Sequence, residues 1–158
     1  MEVSSLKNLL RVSGLLHFCQ LFAAPFVESS LLKWKEEFAK LSPVNVWTFK
    51  VMMMGIMIYA VGAGVVVVWA AEEIAKGGRL AAAFSGFLCV TWIYRGLIQI
   101  LLYSRIWPGG WKARSFHYFL CLLCAFLAVV YGIAWVSGIS FHFADDPYLL
   151  RAQAGGEI

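Results

Sequence analysis

Residues 46–70 read VWTFKVMMMGIMIYAVGAGVVVVWA, an apolar stretch interrupted by one charge, Lys50. A bilayer core about 30 Å thick needs roughly 20 apolar residues in a helix. Barrel strands are about ten residues long and alternate apolar with polar positions, which this stretch does not do. A segment in lipid must satisfy its own backbone groups, so it reads as a transmembrane helix. Three more blocks share its character, at 9–27, 80–103 and 116–138. The expected fold is therefore all-α: a membrane-embedded bundle of four transmembrane helices within residues 1–140, with a polar C-terminal tail at 141–158.

Composition agrees. Of 158 residues, 61% are hydrophobic and 14% charged, and the mean hydropathy is +0.76. An ordinary soluble domain is about half apolar and a quarter charged. Disorder, a disulfide-stapled secreted module and a plain soluble enzyme are excluded. The 13 Lys and Arg against 9 Asp and Glu give a net charge of +4. They sit in short stretches between apolar blocks, which suits lipid headgroups, whereas a nucleic-acid partner needs them clustered on one face. Cys19, Cys89, Cys121 and Cys124 all fall inside apolar blocks, so no disulfide framework is expected.

The link SSLLKWKEEFAKLSP, residues 29–43, places Leu31, Trp34, Phe38 and Leu41 at helical spacing, with Lys33, Lys35, Glu36, Glu37 and Lys40 elsewhere. That pattern predicts one amphipathic helix at the interface, stopped by Ser42 and Pro43. The links AEEIAKGGR (71–79) and SRIWPGGWKAR (104–114) are short, so neighbouring spans run antiparallel and both termini share one side. His17, Cys19 and Gln20 interrupt the first block, which reads as a retained span rather than a cleaved signal peptide. Lys33, Lys35, Lys40, Lys50, Arg105, Lys112 and Arg114 lie on one face, against Lys7, Arg11, Lys76, Arg79 and Arg151 on the other. The positive-inside rule then puts the termini on the non-cytoplasmic side.

Polar residues inside spans are expensive and mark function. Arg95 lies about 12 Å from the end of the third block at the helical rise, with Gln99 one turn further on. Ser13, His17, Gln20 and Ala24 form a stripe on the first span. His117, Cys121, Cys124, Tyr131 and Trp135 share a broad face of the fourth. The expected site is a ligand-binding pocket of His17, Gln20, Arg95, Gln99 and His117, with Arg95 buried and hydrogen-bonded; the alternative is an arginine that snorkels to the headgroups.

His17 and His117 differ in depth by about 12 Å, which suits a shared haem badly. No cofactor is expected outright, with quinone or haem as the options, and no metal motif occurs. Cys121 and Cys124 invite a thiol-redox reading, but Cys121, Ala125, Ala128 and Gly132 also form a small-residue packing seam, the preferred account. On the third span Ala82, Gly86, Cys89 and Gly96 form a second seam, with Arg95 and Gln99 about 120° away at 100° per residue. Covering both faces calls for other membrane subunits or a homo-oligomer. Gly62-Ala63-Gly64 lacks the lysine of a phosphate loop, and the Glu72–Glu73 and Asp145–Asp146 pairs read as solvated.

The stretches LLRVSGLLHF (9–18), EEFAKLSPVN (36–45), RGLIQ (95–99), HYFL (117–120) and VVYG (129–132) resemble a group of small bacterial four-span membrane proteins. More distantly, Arg11, Gly14 and His17 resemble the opening of DoxX-like proteins, some of which are linked to respiratory or redox complexes. The resemblance implies a four-helix bundle, with no reaction assigned to the group. The second span lacks the E-R-x-x-x-A-H-x-N motif of eicosanoid and glutathione membrane enzymes. The functional expectation is a non-catalytic accessory subunit, or a lipid- or quinone-binding module, in the inner membrane. The alternative is a quinone- or thiol-linked oxidoreductase.

Overall fold

The computed structural model describes residues 2–26, 34–106 and 110–144, with side chains described except at 20–26, 106 and 141–144. The described residues contain helices and no strand: α1 (Val3–Phe26), α2 (Trp34–Phe38), α3 (Pro43–Trp69), α4 (Ala71–Lys76), α5 (Arg79–Ile98), a π-turn (Gln99–Tyr103), α6 (Ser104–Ile106) and α7 (Trp111–Ala144). Three helices are long and apolar enough to cross a membrane: Pro43–Trp69, Arg79–Tyr103 and Trp111–Ser140. These define a helical, membrane-embedded protein. The helix α1 is not among them; its side chains are described only as far as residue 19.

The long helices overrun the apolar blocks that announced them. The helix α3 starts at Pro43, because Ser42 caps it by accepting a hydrogen bond from the Asn45 amide, and proline suits the first turn, where no amide is needed. The helix α7 continues through residues 141–144, where the sequence suggested the tail begins; the rest of that tail, Asp145–Asp146 included, lies outside the described residues. In the link after α1, only Trp34–Phe38 is described as helix. Leu31 and Lys33 of the expected amphipathic stretch lie outside the described residues. The Trp34 and Phe38 rings each stand 5.2 Å from the Phe49 ring, folding α2 onto the start of α3.

Lipid tails are as apolar as leucine, so packing between spans rests on close approach and hydrogen bonds. The bundle follows that rule as two antiparallel pairs, α1 with α3 and α5 with α7. In the first pair, Gly14 and Gly64 let the backbones touch: a Cβ on Gly64 would sit 2.9 Å from the Gly14 carbonyl oxygen and 3.0 Å from His17 Cβ. In the second pair, Gly86 receives the Trp135 ring, Gly138 lies against Ala82, and Gly96 lies against Cys124. Cys89 Sγ donates to the Ala128 carbonyl at 3.3 Å. The expected α5 seam of Ala82, Gly86, Cys89 and Gly96 therefore packs on α7. On α7, Cys124 takes the place expected for Ala125, which is exposed.

The helix α4 lies across the end where α1, α3, α5 and α7 converge, and buries Ala71, Ile74 and Ala75. Glu72, expected to be merely solvated, bridges Lys7 of α1 at 2.6 Å and Lys76 at 2.8 Å. These two ammonium groups hold its carboxyl down to about 2. Towards the other end the bundle opens. All buried residues of α3 lie at or beyond Ala60, so Val44 to Tyr59 finds no close neighbour in the core.

Candidate functional site

Hydroxyls in lipid need partners, and the simplest is the helix's own carbonyl one turn back. Ser13 bonds to Leu9 O at 2.8 Å, Thr91 to Phe87 O at 2.8 Å and Ser140 to Val136 O at 3.0 Å. Besides the Lys7–Glu72 bridge and the Cys89–Ala128 bond, the side chains that bond between helices form two clusters.

The first cluster joins the two helix pairs. His17 of α1 is fully buried; its Nδ1 lies 2.9 Å from the Ser13 carbonyl oxygen, and Trp92 Nε1 of α5 donates to its Nε2 at 3.3 Å. An indole N–H only donates and a carbonyl only accepts. Both bonds are satisfied by one state, the neutral imidazole with its proton on Nδ1. Tyr131 of α7, also fully buried, brings its hydroxyl to 3.5 Å from Nδ1. The His17 ring meets Trp92 and Tyr131 edge-on, with centroids 5.2 and 5.9 Å apart, the arrangement the aromatic quadrupole prefers. With both nitrogens engaged, His17 acts as the joint between α1, α5 and α7.

The second cluster lies two turns further along α5, about 10 Å at the helical rise. Gln99, 2% exposed, opens the π-turn and places Nε2 at 2.9 Å from His117 Nδ1 of α7. With the amide donating, Nδ1 accepts, and the ring proton sits on Nε2, 3.8 Å from Cys121 Sγ. His117 is half-buried. A single π-turn in a long helix frequently marks a functional position, because it re-aims the side chains around it. This cluster offers a hydrogen-bonding imidazole and a thiol at an accessible edge.

The expected five-residue pocket is not assembled among the described side chains. The structure brings Gln99 to His117 and places His17 in the separate, deeper cluster. Gln20 has no described side chain. Arg95 is exposed rather than buried, and makes no hydrogen bond or ion pair among the described residues. The buried arc of α5 centres on Ser85, Cys89, Trp92 and Gly96, and at 100° per residue Arg95 lies about 90° off that centre. Gln99 lies nearer to it and is buried against His117 of α7, so Arg95 and Gln99, expected together on one pocket-lining face, differ in surroundings: one is exposed and the other buried.

Sequence reading missed Trp92, although a signal was there. Ser85, Trp92 and Gln99 recur every seven residues, a polar stripe down one face, and all three are buried. Ser85 Oγ is the one described buried side-chain oxygen without a partner. Cys121 and Cys124 are free thiols. Among the described residues no three His, Cys, Asp or Glu side chains gather as a metal site.

These features describe a membrane protein whose polar side chains serve mainly to join helices. No family model, curated protein or solved structure matches the chain.

Proposed function

We propose that this chain is a non-catalytic accessory subunit of a larger assembly in a bacterial inner membrane, with α1 as a fourth span and Trp34–Phe38 lying at the interface. The observation that carries the reading is Arg95. It faces outwards on a span, about 12 Å from Tyr103 at the helical rise, without a partner among the described residues. A helical side chain leaves its backbone tilted towards the N-terminus. That tilt carries Arg95 away from the nearer membrane face and shortens its reach to the headgroups. An arginine at mid-span costs about 2.5–3.5 kcal/mol on insertion scales, and a carboxylate on a neighbouring subunit's span relieves that cost. The half of α3 with no buried residue, Val44 to Tyr59, touched by α2 at Phe49, supplies further apolar surface for such a neighbour. The excess of Lys and Arg on the α2 face supports non-cytoplasmic termini.

A second reading, a quinone-binding module or quinone-linked oxidoreductase, draws on Gln99, His117 and Cys121. Imidazole and amide groups at a half-buried edge suit a quinone carbonyl.

One experiment separates them. Full-length wild type, Arg95→Leu and Arg95→Lys are purified from native membranes in mild detergent. Stoichiometric membrane subunits should accompany wild type, be lost from Arg95→Leu and be partly kept by Arg95→Lys. If wild type purifies alone with bound quinone, the second reading replaces the first. If Arg95→Leu keeps every partner and the wild-type thermal midpoint, Arg95 only reaches for headgroups and the accessory reading fails.

A further inference from the structure

Where α5 meets α7, a thiol, an imidazole and an amide stand in line. Cys121 Sγ lies 3.8 Å from His117 Nε2, and His117 Nδ1 lies 2.9 Å from the Gln99 amide. A nucleophile within reach of a base, with the base oriented by a third group, is the arrangement that activates cysteine and serine. Helix geometry builds half of it, because His117 and Cys121 are four residues apart and share a face of α7. The π-turn that opens at Gln99 builds the other half. An amide carries a donor and an acceptor, so turning it end for end sets its oxygen against Nδ1. The ring proton then sits on Nδ1, and Nε2 accepts from the Cys121 S–H.

The setting decides what such a thiol meets. Cys121 is half-buried, at the border between the packed and outer faces of α7, whereas Cys89 and Cys124 are buried. It lies about 7.5 Å below Phe116, the first residue of the apolar block, at the helical rise. Helical side chains lean towards the N-terminus, which for α7 is the nearer membrane face. The thiol therefore reaches back towards the depth where lipid acyl carbonyls lie. Ala125, one turn deeper, is exposed, as are Leu122 and Val129, which gives an acyl chain an apolar track running inwards. In apolar surroundings a thiol keeps its proton, so attack needs a base at hand. His117 supplies it.

We propose that the chain acylates itself at Cys121, taking a fatty acyl group from a long-chain acyl thioester. The Sγ attacks the thioester carbonyl carbon while His117 Nε2 takes the S–H proton. The carbonyl re-forms, the donor's C–S bond breaks, and the leaving thiolate takes that proton back from His117. One thioester is exchanged for another, so atoms and electrons balance without a further reactant. Gln99 is a positioning residue: it orients the base and does not touch the donor. The modification goes beyond the accessory-subunit reading and does not depend on Arg95.

The test uses full-length protein in bicelles with palmitoyl-coenzyme A, incorporation being read by intact mass and placed by peptide mass spectrometry. Wild type should gain one acyl group, on Cys121, released by neutral hydroxylamine as thioesters are. Cys121→Ala should take up none, and Cys124→Ala should match wild type. His117→Asn should react about a hundredfold more slowly at neutral pH, the low end of general-base catalysis. Over the pH unit above neutrality, wild type should hold a nearly constant rate, because the base takes the proton during attack. His117→Asn depends on preformed thiolate and should gain about tenfold over that unit. Gln99→Leu, which leaves the base unoriented, should move towards the same steep dependence. No acyl uptake by wild type, label that persists in Cys121→Ala, or one shared pH dependence for wild type and His117→Asn overturns the proposal. A bound quinone leaves no hydroxylamine-labile mass on Cys121, and partner co-purification is scored separately, so neither functional reading is confounded with this one.

Discussion

Replacing Trp92 with phenylalanine tests the joint between the two helix pairs. The substitution keeps an aromatic ring against His17 and removes the indole N–H, leaving His17 Nε2 without its donor in a fully buried site. In a water-soluble core, orphaning a buried acceptor costs about 1–3 kcal/mol. Between membrane helices the measured average is lower, about 0.6 with a maximum near 1.7 kcal/mol, because the dissociated helices also find partners. The 3.3 Å separation is long for an N–H donor, which argues for the lower range. Loss of the indole's second ring adds a packing deficit, so a total near 1–2 kcal/mol is expected. A double-mutant cycle with His17→Leu, followed by circular dichroism during detergent unfolding in bicelles, should isolate a coupling of about 0.5–1.5 kcal/mol. Nitrogen-15 spectra of labelled histidine supply an independent readout: His17 should show a protonated Nδ1 and a bare Nε2. A coupling of zero, or a proton found on Nε2, refutes the hydrogen-bonded joint.

Two further predictions follow from the packing and the charges. Gly64→Ala should lower stability by about 1–3 kcal/mol, the range for overpacking, because its Cβ meets the Gly14 carbonyl oxygen and His17 Cβ; Gly55→Ala, with nothing within 4 Å, should be near neutral in the same thermal assay. Glu72 should make stability acid-sensitive. Its carboxyl is depressed from 4.5 to about 2 in the folded protein, so the stabilisation is present above pH 4.5 and is lost as pH falls from there towards 2. The thermal midpoint of wild type should drop across that window and that of Glu72→Gln should drop less; parallel curves would show that the Lys7–Glu72–Lys76 bridge contributes nothing.

Long apolar runs made the membrane class legible because bilayer thickness imposes a length that no soluble element needs. The α5 seam was legible for a similar reason: Ala82, Gly86, Cys89 and Gly96 offer the small surface that lets α7 approach. Facing was harder to read. The sequence marks Arg95 as the heart of a pocket, because a charge inside a span is expensive without partners. Rotation about the α5 axis, fixed by the seam, instead sets Arg95 on the outer surface. The π-turn at Gln99–Tyr103 was invisible, since nothing in QILLY distinguishes it from an ordinary helical turn. The role of Glu72 depended on α4 folding across α1, a contact between positions 65 residues apart in sequence.

The distribution of polar groups has a physical logic in lipid. An apolar helix face can slide or rotate against another with little change in energy, because its alternative neighbour is an acyl chain. Close glycine contacts penalise wrong rotations, and a hydrogen bond between side chains penalises wrong shifts along the axis. The chain uses both: Gly14 and Gly64 set α1 against α3 while His17 ties α1 to α5 and α7, and Gly96, Gln99 and His117 set α5 against α7. His17 accepts from α5 while its ring packs on α7, so one neutral imidazole fixes the register of three helices. A one-residue slip of α5 carries the Trp92 N–H about 100° around the helix and 1.5 Å along it, out of reach of Nε2. The polar stripe of α5 thus selects one arrangement among several that apolar packing alone would leave nearly equal.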